Sequence, residues 1–124
     1  MKILYIGLFG GLGCIARYLL TLWTQQLAGR DFPYGTVLVN VAGSFLLGLL
    51  LTMGVRQLPV SPDVRLGLAV GFLGGFTTFS TFSYQTLMLL EEGSHWSAVA
   101  NVLLNVSLSL AGAIAGMLVA RQLA

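Results

Sequence analysis

The chain has 124 residues, of which 56% are hydrophobic and only 8% charged, with six Lys or Arg, four Asp or Glu and a formal net charge of +2. An ordinary soluble domain carries roughly 25% charged residues, and a mean hydropathy of +0.89 places this chain among integral membrane proteins instead. The length leaves no room for a separate soluble domain, and six scattered cations make no basic patch for nucleic acid.

A bilayer core about 30 Å thick takes about 20 apolar residues per helix, so the chain holds four spans. The first runs from Ile3 to Gln26, interrupted by Arg17. Lys2 before an apolar run is also how a secretory signal begins, but this run outlasts the 7 to 15 residues of a signal core. Cys14, the only cysteine, has no partner for an intrachain disulfide and reads as a small packing residue. Ala28 to Pro33 is a charged, turn-forming connector. The second span, Tyr34 to Gly54, ends at Arg56–Asp63, whose two prolines and charges cannot cross lipid as helix. Leu66 to Leu90 is the third span and Trp96 to Val119 the fourth, joined by the short loop Glu91–His95. Tyr5, Trp23, Tyr34 and Trp96 fall near span ends, where interfacial aromatics belong.

Lys2, Arg56, Arg65 and Arg121 share one side of a four-span chain and Arg30 lies on the other, which favours both termini in the cytoplasm. So slight a bias also admits insertion in both orientations and pairing as an antiparallel dimer. Gly67, Gly71 and Gly75 recur every four residues, as do Gly7 with Gly11 and Gly112 with Gly116, so each set lines one helix face. Such seams let backbones approach closely, within a subunit or between subunits.

Polar residues inside the spans carry the functional signal. Asn40, Ser44 and Gly48 stack at four-residue intervals in the second span, and Asn101, Asn105 and Ser109 do so in the fourth. These stripes face either water or each other. Interhelical hydrogen bonds worth about 0.6 kcal/mol each account for any one of them, whereas two stripes beside a hydroxyl-rich third span point to a permeation path. That span contains Gly74-Gly75-Phe76-Thr77-Thr78-Phe79-Ser80-Thr81-Phe82-Ser83. Neutral amides and hydroxyls can replace water around an anion, and a phenylalanine ring presents a positive edge to it. Phe79 and Phe82 share a helix face beside Ser80 and Thr81, and no Asp or Glu lies within any span. Arg17, the one charge inside a span, either faces an anionic vestibule or braces a helix end. Gly74-Gly75 and Thr77-Thr78 predict a break in the third helix, with freed carbonyls met by another helix, water or a cation such as Na⁺.

Gly10-Gly11-Leu12-Gly13 with Ala16-Arg17-Tyr18, then Gly35-Thr36-Val37-Leu38-Val39-Asn40 with Gly43-Ser44-Phe45, then Gly71 to Ser83, resemble the CrcB-type fluoride channel (Fluc) family over essentially the whole chain. The third element is long enough to be specific. The resemblance implies an all-α fold of four transmembrane helices per subunit with a break in the third, assembled as an antiparallel, dual-topology homodimer with two pores in the cell (inner) membrane. It implies fluoride as the passively exported ion, conferring fluoride resistance. Phe79 and Phe82 would meet F⁻ with their ring edges, Asn40 would be the pore amide, Ser80 and Thr81 a hydroxyl track, and Asn105 and Ser109 the polar positions of the fourth helix. Gly74 and Thr77 would offer backbone carbonyls to a structural Na⁺ at the dimer interface. One departure is Gln85, where family members often carry glutamate.

Other classes fit less well. A small four-helix dimeric drug or cation transporter needs an intramembrane carboxylate that the spans lack. A non-transporting assembly subunit leaves the polar faces unexplained. An enzyme would need more than His95 alone in a loop.

Overall fold

The computed structural model describes residues 1–124 as helices and short connectors, with no strands. Four helices are long and apolar enough to cross a membrane: Lys2–Ala28, Tyr34–Thr52, Pro62–Glu91 and His95–Gln122.

Local chemistry sets their ends. The first span closes at Gly29, whose φ of 84° is open to glycine at little cost, and the second closes where Met53 turns extended. The third starts at Pro62, four residues before the hydropathy pattern suggests. Pro62 occupies the first helical turn, where a missing N–H costs nothing, and the Ser61 hydroxyl accepts from Val64 N at 3.2 Å. Arg65, one turn further on, folds back over the end of the second span. Its Nη1 donates to Leu50 O at 2.7 Å and Met53 O at 2.8 Å, and its Nη2 reaches Gly54 O and Leu58 O at 3.4 Å. A cation on otherwise unpaired C-terminal carbonyls is favourable for both its charge and its donors. Arg65 therefore clamps the second and third spans into a hairpin in addition to any part in setting orientation.

Two stretches are wound wider than an α-helix, Gly67–Leu73 in the third span and Leu104–Leu108 in the fourth. Beyond the first of these, Thr77 (φ −90°, ψ 160°) and Thr78 (φ −154°, ψ 120°) are extended, and helix resumes at Phe79 with the Thr78 hydroxyl accepting from Thr81 N at 3.2 Å.

The glycine faces lie where spans meet. The first half of the third span packs on the first span, and the second span packs on residues 109–122 of the fourth. A Cβ at Gly71 would stand 2.7 Å from Ile6 O, and one at Gly75 equally close to Gly10 O. At Gly13 and Gly116 it would overlap the carbonyl oxygens of Phe72 and Phe45. These seams thus act within one chain, with backbone against backbone. Gly7 and Gly11 differ, having no atom within 4 Å of such a Cβ. Because the obstacle at Gly116 is main chain and cannot swing aside, Gly116→Ala is expected to cost about 3 kcal/mol, more than the roughly 1 kcal/mol gained in helix propensity. A lower melting temperature of the purified protein in detergent checks it.

Candidate functional site

The extended Thr77–Thr78 step lies opposite Asn40 of the second span, and a reciprocal pair of hydrogen bonds joins them. Thr78 N donates to Asn40 Oδ1 at 2.8 Å, and Asn40 Nδ2 donates to Thr78 O at 3.0 Å. The same Nδ2 donates its second proton to Asn105 Oδ1 of the fourth span at 2.9 Å. Asn40 is thus a three-way joint. It satisfies a backbone N–H and C=O that the helical ladder has released, groups that cost several kcal/mol if left bare in hydrocarbon.

Around this joint lies an open groove of about 330 Å³, lined by Asn40, Ser44, Thr77, Thr78, Phe79, Phe82, Asn105, Val106, Ser109 and Leu110. Five of the seven residues expected on the ion's path converge there: Asn40, Phe79, Phe82, Asn105 and Ser109. Phe82 is 7% exposed and Phe79 77% exposed. Their rings meet edge to face, with centroids 5.3 Å apart and planes at 69°. Ser109 Oγ is buried with no hydrogen-bond partner in the chain, which leaves one free hydroxyl within the groove's lining. No carboxylate lines it.

The other two expected residues sit elsewhere. Thr81 lines a second cavity, about 210 Å³, with Cys14, Arg17, Tyr18, Thr21, Thr36, Val39 and Thr78. Ser80 is exposed, its hydroxyl 3.4 Å from that of Thr78. Thr78 borders both cavities. Arg17 also belongs to the second cavity, where its Nε donates to Gly75 O at 2.9 Å. It braces the third span from a place that borders a cavity, so the two readings of its charge are compatible. Gln85 lines a third cavity of about 150 Å³ at the bundle end, with Thr21, Thr24, Thr36 and the first connector, and its Oε1 is buried without a partner.

Gly74 and Thr77 were expected to present carbonyls. Thr78 N, the donor that would close a helical bond to Gly74 O, is turned to Asn40, and Thr77 is itself extended. Gly74 is exposed, and a Cβ there would meet nothing closer than Ala69 O at 4.0 Å. No group of three or more His, Cys, Asp or Glu side chains converges anywhere.

A helical membrane protein with four spans and a neutral polar groove beside an extended step in the third is the class these elements define. Residues 4–117 match the family model described as CrcB-like protein, Camphor Resistance (CrcB). The chain is 53% identical over 123 residues to the fluoride-specific ion channel FluC of Syntrophotalea carbinolica, covering 99% of this chain and 100% of that one. It is 56% identical over 121 residues to the protein of the same name from Geobacter sulfurreducens, and 51% over 121 residues to that of Geotalea uraniireducens, with 98% of each chain covered in both cases. The chain belongs to the CrcB-like family.

Asn40→Asp tests the joint. A carboxylate cannot donate, so it faces Thr78 O and Asn105 Oδ1 as an acceptor against acceptors. The variant is expected to lose about 3 kcal/mol, since each buried polar group left unpaired costs about 1–3 kcal/mol. Thermal unfolding in detergent measures the loss, and Asn40→Ala, which also takes the acceptor from Thr78 N and so leaves three groups unpaired, should lose at least as much.

Proposed function

We propose that this chain is a fluoride channel that lets the ion leave the cytoplasm down its gradient and so confers fluoride resistance. The observation that carries the reading is the convergence of Phe82, Asn40, Asn105 and Ser109 on one carboxylate-free groove, in a chain about half identical, over nearly its full length, to proteins named fluoride-specific ion channels. Fluoride holds its water tightly, so a selective path must replace that water with donors at close range. The groove offers the unpartnered Ser109 hydroxyl and aromatic ring edges, which attract an anion without trapping it as a fixed cation would. Arg17, bordering the second cavity, supplies the positive potential that draws anions toward the path. Chemistry on a bound substrate has no part in this, and the protein is not an enzyme.

The working unit is an antiparallel homodimer with a pore along each of two grooves, in the cell inner membrane. Phe79 supports this, since a pathway residue 77% exposed on one chain needs a second chain to cover it. So do the exposed Gly74 and the unoccupied faces of Gly7 and Gly11. The slight charge asymmetry between the loops lets both orientations insert. The extended Thr77–Thr78 step is then the functional break of the third helix. Carbonyls of Gly74 and Thr77 from both copies would hold a structural Na⁺, which when bound would offset the mutual repulsion of their oxygens. In each chain Arg17 and Asn40 hold the same segment through Gly75 O and Thr78.

Purified protein in liposomes is expected to release fluoride and retain chloride, read with ion-selective electrodes, and equal release of both ions would sink the assignment. Phe82→Ile, which keeps an apolar wall and removes the ring edge, should cut fluoride release by at least about tenfold if that edge is worth about 1.4 kcal/mol or more to the moving ion. Assembly is checked separately: cross-linking in the membrane should give a species of twice the 13.2 kDa monomer mass, and replacing Na⁺ by a large organic cation should lower flux through it. A monomer that conducts fully without Na⁺ would remove both the dimer and the ion from the account.

A further inference from the structure

One chain of side-chain hydrogen bonds runs from the groove at Asn105 into the bundle as far as Thr86. Asn101 is fully buried, at 0% exposure, and borders none of the three polar cavities. Asn105 Nδ2 nevertheless donates to Asn101 Oδ1 at 2.9 Å and to Asn101 O at 2.8 Å. Asn101 Nδ2 donates onward to Thr86 Oγ1 at 2.9 Å, and Thr86 Oγ1 donates to Phe82 O at 2.8 Å. The wide turn at Leu104–Leu108 begins between the two asparagines, and such turns recur at functional sites.

The direction of this chain is determined. A hydroxyl has one proton, and Thr86 gives it to a backbone carbonyl, which can only accept. Its oxygen therefore presents a lone pair to Asn101, whose NH₂ must face Thr86 and whose Oδ1 must face Asn105. Asn105 is then compelled to turn its NH₂ toward Asn101 and its Oδ1 toward Asn40, whose Nδ2 meets it at 2.9 Å. An amide is a dipole, so a fixed direction gives the groove a fixed local field and holds its polar walls in one arrangement.

We propose that Thr86 and Asn101 are positioning residues: they form an anchor that sets the amide direction of Asn105, and through it holds Asn40, in the groove. The functional part rests on the fluoride reading above. Without the Thr86 hydroxyl, Asn101 is free to turn over, and its NH₂ would then oppose that of Asn105. The polar groups would remain in the groove, with Asn105 held on that side by Asn101 O alone and its dipole less firmly fixed.

The test removes that hydroxyl in two ways, by Thr86→Val, which keeps the side-chain shape, and by Thr86→Ala, and keeps it in Thr86→Ser. Two quantities are read on each reconstituted protein: fluoride release from liposomes, and the side-chain NH₂ signals of Asn40 and Asn105 in ¹⁵N-labelled protein. Thr86→Val and Thr86→Ala are expected to lower release about tenfold, the low end for loss of an orienting partner. Both should also move the Asn105 and Asn40 signals, although neither amide touches Thr86. Thr86→Ser should restore release and signals together. A simple brace between the third and fourth spans would instead lower the melting temperature while leaving the signals and the release per folded protein in place, and that result overturns the proposal. Unmoved signals with reduced release overturn it as well. Unaltered protein that releases no fluoride would overturn the channel reading while the amide signals still judge the anchor.

Discussion

The structure depends on one constraint, that a backbone leaving its helix inside a membrane must find new partners for the groups it frees. Water is not available in the hydrocarbon core, and each bare N–H or C=O costs several kcal/mol there. The Thr77–Thr78 step is tolerated because Asn40 accepts from Thr78 N and donates to Thr78 O, while Arg17 takes Gly75 O. One side chain from each of the first two spans therefore stabilises the irregular segment of the third. The polar groove is in this sense a by-product of a repaired backbone: the amide that repairs it is also an amide that lines the groove.

Close approach of the helices makes that repair geometrically feasible. Asparagine is short, and its amide reaches a neighbouring main chain only if the helices nearly touch. Glycines at positions 13, 71 and 75 bring the first and third spans together, and those at 48, 112 and 116 do the same for the second and fourth. Adding a methyl group to such a seam would strain packing and also withdraw Asn40 or Arg17 from its partner. Packing and polar chemistry are coupled through a few tenths of an ångström.

The sequence makes the four spans legible because hydropathy is a property of residues, whereas several boundaries and roles depend on chain reversal. Pro62 reads as a breaker, yet after Ser61 it opens a helix. Arg65 reads as an orienting charge, since nothing in the pattern reveals that carbonyls 12 and 15 residues back will lie under it. The asparagine stripes were visible at four-residue spacing, and their alternatives, facing water or each other, turn out to be joint: Asn40 and Asn105 bond to each other and both line the groove. Ser80 and Thr81 were grouped by proximity along the chain, but the turn of the helix puts them on different surfaces. Thr86 lies beyond the Gly74–Ser83 run, and nothing in its spacing reveals that Asn101 of the next span will meet its hydroxyl.

The two wide turns leave no trace in hydropathy, yet they govern how the chain can vary. Each holds one residue more than an α-helical turn would over the same stretch. Losing one residue between 104 and 108 would leave the span long enough for the bilayer and just as apolar. It would also regularise the helix and leave Ser109, Gly112 and Gly116 in phase with the second span, whereas losing a residue from the α-helical part would rotate everything beyond it by about a quarter turn. Related chains should accordingly tolerate loss of a single residue at these two depths more readily than elsewhere in the spans, and an alignment gap placed inside either turn would signal a regular helix in the same bundle.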